Sequence, residues 1–389
     1  MKNDFLFQID NRMLYGIGKS LTIGEVLNTE GWRRVVLLAD AGVARHAAYY
    51  NAFKETLSSA VDEVTEILLR DDEEPSYDYL DDVAGRIRAV AEVDAVIGVG
   101  GGSAMDIAKA AAALRTNPGP AIQYRGFDKL TEPATPCICI PTTAGTGSEV
   151  TINAVFTDKS EMKKLGINGR YMNAAYAVLD ARWLESLPQA AAVSAGMDAM
   201  VHTLESFMTN NANPMTRALN REAFVLLYRN LPALAMAPDD LEARQLILLG
   251  AYLAAAGLFN SGSGIAGALS YPIGVHYKVP HGIGGGIFIS SVIDFNVAHG
   301  WLDYAELLDL VEPHPDWSAE RKARRFADAI RELARSLDVP ETLSQWGITA
   351  DNVDEVGDLM QGMQAAFDQN PIAFSAKTDV YDMLRRHVD

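Results

Sequence analysis

The sequence predicts two domains of different class: an α/β domain built on a parallel sheet over residues 1–185, and an all-α domain over residues 186–389. Three observations lead there. The first half alternates short β-branched runs with helix-patterned segments, which reads as βαβ units. Beyond Pro188 such runs nearly vanish, and long amphipathic stretches rich in Ala and Leu take over. The chain of 389 residues also exceeds the roughly 250 to 300 at which a single core stops growing.

In order along the chain, Val35–Leu38 reads as a strand followed by a helix from Val43 to Leu57. Glu66–Leu69 is followed by a helix from Tyr77 to Val90, and Ala95–Val99 by one from Ala104 to Leu114. Cys137 and Cys139 alternate along an apolar run, so they face the same side of a strand and stand too close in sequence for an ordinary disulfide. Leu187-Pro188 closes the mixed segment and opens a helix, since proline suits a first helical turn. The expected active site lies in the cleft between the two domains, a common place for ligands.

Composition narrows the function classes. Hydrophobic residues make up 49% and charged residues 22%, the balance of a globular protein. A formal net charge of −18 repels phosphate backbones and anionic lipid, and no basic patch offsets it, so neither a nucleic acid nor a membrane is an expected partner. The N-terminus lacks the apolar stretch of a signal peptide, and no window reaches the roughly 20 apolar residues of a span; a cytoplasmic location is expected.

Chemistry enters at Gly98-Val99-Gly100-Gly101-Gly102-Ser103-Ala104-Met105-Asp106-Ile107-Ala108-Lys109, where a buried strand runs through consecutive glycines into a helix. Glycines let a backbone approach a pyrophosphate, and the first helical amides attract the anion. The same glycines also suit a tight turn that binds nothing. At the end of the first strand, Asp40 can accept hydrogen bonds from ribose hydroxyls and would repel a 2′-phosphate, favouring NAD over NADP. It can equally cap a turn or helix. A second loop, Pro141-Thr142-Thr143-Ala144-Gly145-Thr146-Gly147-Ser148-Glu149, is dense in small hydroxyl residues and glycine, suited to hydrogen-bonding a phosphate or ribose without obstruction.

In the helical half, Asp198 and His202 are four residues apart, so both project from one helix face and can ligate a single ion or form an ordinary surface pair. Pro280 fixes the backbone before His281 and Gly282 leaves room around the imidazole; a capping or core histidine is the alternative reading.

Taken together, GGGSxxDxAK, PTTAGTGSE, GxDAxxHxxE and PHG resemble, from end to end of the chain, the group III, iron-containing (metal-dependent) alcohol dehydrogenases. The resemblance implies the dehydroquinate synthase-like, iron-type alcohol dehydrogenase fold, a bound NAD, a divalent metal (Fe2+ or Zn2+), a small alcohol or carbonyl substrate, and a homodimer or higher homo-oligomer. It assigns Gly100, Gly101, Gly102, Ser103, Asp106, Thr142, Thr143 and Ser148 to the cofactor, with the adenosine ribose at Asp40 and with Asn153 and Lys164 lining the same cleft. It assigns Asp198, His202 and His281 to the metal.

Two departures stand out. Glu74-Pro75-Ser76 replaces the family's Asn-Pro-Thr. Gly267 stands where the family has a fourth ligand, a histidine fourteen residues before the PHG histidine, and Tyr271 stands where it has a second histidine. Either Asp198, His202 and His281 still hold the ion around an open position, or the ion is lost and Tyr271 donates the proton; Tyr271 can also simply pack in the core. Phe259, Tyr271 and His276 are expected to shape the substrate pocket. Competing readings are a dehydroquinate-synthase-like cyclase, which would need clustered Lys and Arg where this chain spreads Arg217, Arg221, Arg229, Arg244 and Lys278 apart, and a catalytically silent NAD-binding protein.

Overall fold

A computed structural model describes residues 2–46, 48–70, 75–161 and 163–389. The chain divides into two compact units, Ile9–Pro188, and Gln189–Asp389 together with Met1–Gln8. The opening residues thus belong with the helical unit rather than with the 1–185 segment, for a local reason. Lys2 N–H donates to the Ala212 carbonyl, and Gln8 N–H donates to Asn260 Oδ1, whose amide returns a bond to the Gln8 carbonyl.

In the Ile9–Pro188 unit, the strands are β1 (Arg12–Tyr15), β2 (Arg34–Asp40), β3 (Glu63–Leu69), β4 (Ala95–Gly100), β5 (Gly126–Phe127), β6 (Cys137–Pro141), β7 (Asn153–Asp158), β8 (Lys163–Asn168) and β9 (Tyr176–Leu179). Six of them form one sheet in the order β1-β9-β6-β4-β2-β3, every pair parallel. β4 and β6 are buried at every residue, as a parallel strand covered on both faces must be, which explains their unbroken apolar runs. Cys137 and Cys139 do share a face, as free thiols with Sγ atoms 3.9 Å apart. A smaller three-stranded sheet, β5-β8-β7, was not foreseen, because β8 carries two lysines and a glycine, β5 is two residues long, and the apolar Ala154-Val155-Phe156 of β7 is too short a run to stand out.

The strand order fixes where a ligand can bind. From β2 the chain moves outward to β3, then returns past β2 to β4 and continues to β6 on the other side. The direction reverses between β2 and β4, and in such sheets the crevice at the carboxyl ends of those strands is the ligand site. Asp40 ends β2 and Gly100 ends β4.

The second unit is helical. Gln189–Met208, Pro214–Asn230 and Leu241–Ser261 pack on one another, and Ile265–Tyr277 packs on His281–Ala298, which also lies against Gln189–Met208. By length and apolarity Leu241–Ser261 reaches the dimensions of a membrane span, contrary to the sequence expectation that no window does; 67% of its most apolar window is buried among neighbouring helices. Its apolarity serves this packing, since a helix enclosed on all sides is apolar all round.

Candidate functional site

Within the Ile9–Pro188 unit, the carboxyl ends of β2, β4 and β6 border a cavity of about 760 Å³ lined by Asp40, Gly101, Gly102, Ser103, Thr142 and Thr143, with Trp183 and Pro188 on its wall. That volume is in the range of small-molecule and cofactor pockets, about 300 to 1,000 Å³. The glycines are there for close approach. A Cβ on Gly102 would stand 2.6 Å from Thr146 Oγ1, and one on Gly100 would stand 2.5 Å from Ala104 Cβ. Gly101 caps the Gly102–Thr116 helix without a side-chain bond, so no side chain competes for the first-turn amides. Thr142 is held at the rim by its N–H, which donates to the Gly100 carbonyl at 2.9 Å.

Asp40 realises the capping reading: its Oδ1 accepts the N–H groups of Gly42 (2.8 Å) and Val43 (3.1 Å). It also lines the cavity, so the two readings of this residue are compatible.

The other cofactor candidates stand elsewhere. Asp106 is spent on the scaffold: it accepts the Ser148 hydroxyl at 2.5 Å and the Val155 N–H at 2.9 Å, and burial pushes its pKa up. Ser148 is thereby turned toward Asp106. Asn153 opens β7, paired with Asn168, and Lys164 lies half-buried in β8 opposite Thr157. None of these four borders the cavity. Of the Glu74-Pro75-Ser76 departure, Glu74 lies outside the described residues; Ser76 is buried and caps the Tyr77–Arg88 helix by accepting the Tyr79 N–H.

Sequence reasoning missed what secures the second loop. Lys109, wholly buried, donates to the carbonyls of Ser148 (2.7 Å), Thr151 (3.0 Å) and Asn153 (2.6 Å). A buried ammonium is costly unless its donors are satisfied, and here three backbone carbonyls, two after the loop's glycines and one at the start of β7, do it. A lone lysine amid Ile-Ala-Lys-Ala-Ala-Ala-Ala was the available signal. Beside it Glu149 is also buried, its Oε2 has no hydrogen-bond partner, and burial pushes its pKa up to about 7.

In the helical unit, Asp198, His202 and His281 bring one donor atom each within 4.8 Å of one another. Asp198 Oδ1 lies 3.5 Å from His202 Nε2 and 3.7 Å from His281 Nε2. These separations exceed ordinary N–H···O bonds. Two ligands each about 2.1 Å from a tetrahedral ion would stand roughly 3.4 Å apart, so the spacing is that of donors around a common point. His202 Nδ1 is buried without a hydrogen-bond partner, leaving the other nitrogen as the polar face of the ring. The donor set, two imidazoles and a carboxylate, fits a divalent transition metal.

His281 is oriented by a relay. Ser270 Oγ donates its proton to the Gly267 carbonyl at 2.7 Å and lies 2.7 Å from His281 Nδ1. With the hydroxyl proton so committed, Ser270 accepts from Nδ1–H, which leaves the Nε2 lone pair directed at the Asp198 side. Gly267, in the place of the missing ligand, therefore contributes its carbonyl to positioning another. A Cβ there would stand 2.9 Å from Glu205 Oε2. Glu205 is fully buried, accepts the N–H groups of Gly264 (2.9 Å) and Gly267 (3.0 Å), and has its pKa raised by burial. The role expected of Gly282 also changes: a Cβ on it would stand 1.9 Å from the Ser194 carbonyl, so this glycine makes room for a neighbouring helix rather than for the imidazole.

Tyr271 is 42% exposed, which removes the core-packing reading, and its ring lies 4.5 Å from that of His281. His276 is exposed on the last turn of the same helix and outside the donor cluster; Phe259 lines a different cavity with Phe5 and Leu6. Of the dispersed basic residues, Arg217 pairs with Asp303 and Arg221 with Glu306, so neither offers an uncommitted charge to a substrate phosphate.

Residues 10–181 match the iron-containing alcohol dehydrogenase family, and residues 192–388 match the C-terminal domain of the same family. The chain belongs to the iron-containing alcohol dehydrogenase family. Among relatives in that family, it is 30% identical to the sulfoacetaldehyde reductase of Bilophila wadsworthia over 375 residues, covering 95% of this chain and 96% of that protein. It is 29% identical to the NAD-dependent methanol dehydrogenase of Bacillus methanolicus over 262 residues, 67% of this chain and 69% of that one. A crystal structure of 1,3-propanediol oxidoreductase has the same fold, with a TM-score of 0.91 at 25% identity, covering 99% of this chain and 100% of that one.

Proposed function

We propose that this protein is an NAD-dependent alcohol dehydrogenase or aldehyde reductase that interconverts a small alcohol and its carbonyl compound, with a divalent iron or zinc ion held by Asp198, His202 and His281. The observation that carries the reading is the convergence of Asp198, His202 and His281 on one point, in a chain whose other unit has an open glycine-lined cavity. The activities of the relatives, a sulfoacetaldehyde reductase and an NAD-dependent methanol dehydrogenase, support the alcohol–aldehyde chemistry and the cofactor.

In this reading Gly101, Gly102 and Ser103 present helix amides to the pyrophosphate, Thr142 and Thr143 face the same space, and Asp40 receives the adenosine ribose. The bound nicotinamide supplies or accepts the hydride. The ion, when bound, supplies a Lewis acid for the substrate oxygen. Ser270 keeps His281 in the tautomer that can donate its Nε2 lone pair, a support of the kind metal-ligating histidines require. Tyr271, against His281, shapes the substrate side. Asp106, Ser148 and Lys109 act as positioning residues that hold the second loop in register with the first.

The test is NADH formation from a panel of small alcohols by protein stripped with a chelator and then resupplied with ferrous or zinc ion. Recovery with the ion supports the reading. Absence of turnover on every alcohol and aldehyde tried, with metal and NAD both bound, would overturn it.

A further inference from the structure

A second pocket in the helical unit has no part in the chemistry above. It holds about 270 Å³ and is bordered by Ser290, Ser291, Arg331, Arg335, Arg386 and His387. Three guanidinium groups gather here in a chain whose formal charge is −18, with the carboxylates Asp294 and Glu341 on the same wall and Asp328 beside Arg331. Arg331 pairs with Asp294 and Asp328, and Arg335 with Glu341. Those pairs are exposed enough to be weak, with 30% of the Arg331 side chain and 56% of the Arg335 side chain accessible, so an incoming anion can compete for both guanidiniums. Arg386 makes no ion pair among the described residues.

The floor is polar and only partly satisfied. His387 is buried; its Nδ1 lies 2.9 Å from the Glu341 carbonyl, to which it must donate, so its Nε2 accepts from the Ser291 hydroxyl at 2.9 Å. Burial lowers the pKa of His387, with the charges of Arg386 and Arg331 acting in the same direction and the bond to Glu341 and its charge acting against them. Ser290 lies one position away, 7% exposed, and its hydroxyl makes no hydrogen bond among the described residues. Ser290 and the exposed Arg386 both border the pocket, so a hydroxyl and a guanidinium with no partner among the described residues open on the same space.

We propose that this pocket binds a phosphate group, free or carried on a small metabolite, through Arg386 and the Ser290 hydroxyl, with Arg331 and Arg335 turning from their carboxylates to complete the site. It is separate from the dinucleotide cavity and does not depend on the redox assignment.

The experiment is calorimetric titration of the full-length protein, saturated with NAD, with inorganic phosphate and with glycerol 3-phosphate, beside Arg386→Gln and Ser290→Ala. Chloride at matched ionic strength is the control. The expected result is saturable binding of at least one probe at about one per chain, weakened roughly tenfold or more in Arg386→Gln and severalfold in Ser290→Ala. The tighter probe identifies the source of the phosphate. Equal binding by wild type and both variants, a response that chloride reproduces, or no saturable binding would overturn the proposal. If the protein takes up no NAD, the same titration on the NAD-free protein still decides it, because a phosphate held by the glycine-lined cavity would be insensitive to both substitutions.

Discussion

The glycine-lined cavity of the Ile9–Pro188 unit and the donor cluster of the helical unit are built in opposite ways. The first is made of backbone: amides after Gly101, a carbonyl–amide bond between Gly100 and Thr142, and glycines whose value lies in having no side chain. The second is made of side chains on two helices, with His281 lying far along the chain from Asp198 and His202, and its geometry depends on a serine, a carbonyl and a buried glutamate that are not donors themselves. A backbone site tolerates exchange of most side chains but no added Cβ at its closest approaches. A side-chain site fails with any one donor.

That contrast predicts separable failures. His202→Ala should lower kcat/KM by about a thousandfold or more, since a Lewis acid contributes several kcal/mol to the transition state, while leaving the dissociation constant for NAD unchanged by calorimetry; equal losses of both would show that the two sites are not independent. Ser270→Ala should weaken metal affinity by about 10- to 100-fold, as loss of a group supporting a ligand histidine does, read by metal titration of the chelated protein, with Ser270→Thr recovering part of it. Gly102→Ala should do the reverse. Its Cβ would meet Thr146, and overpacking of about 1 to 3 kcal/mol weakens NAD by roughly 5- to 150-fold, with metal content unchanged by elemental analysis.

The smallest effect is on stability. Glu149, raised in the fold to about 7, has an ordinary value of about 4.3. Because the folded pKa is the higher one, the protonated group stabilises the fold fully below the ordinary value, and that contribution is lost as pH rises through 7. Glu149→Gln cannot ionise, so its melting temperature should exceed that of wild type by a few degrees at pH 8, equivalent to at most roughly 4 kcal/mol, with little difference at pH 4. An equal difference at both values would show that the carboxyl stays neutral throughout.

The same contrast governs what could be read in the sequence. The turn from β4 into the Gly102–Thr116 helix was legible because its strand, glycines and helix are contiguous, and the strand order then puts it at the point where a parallel sheet binds ligands. Asp198 and His202 were legible as a pair at helical spacing. That His281 joins them was implied by resemblance and could not have come from spacing. The motif residues Asp106 and Ser148 were assigned to the cofactor although their side chains bind each other, because a motif records which residues recur together and not which of them touch the ligand. Lys109 escaped notice for the complementary reason: its partners are backbone carbonyls about 40 residues further along the chain, and carbonyls carry no sequence signal. Gly267 read as a simple loss; only packing reveals that its carbonyl anchors Ser270 and that Glu205 stands where a side chain would go.

The central claim is that Asp198, His202 and His281 suffice to hold a catalytic ion despite the glycine at 267. Titrating chelated protein with ferrous or zinc ion, while following NADH formation and bound metal together, tests it most directly. Activity should rise in proportion to occupancy and level off at one ion per chain. Full activity in metal-free protein, or undiminished activity when His202 and His281 are both replaced by alanine, would contradict it.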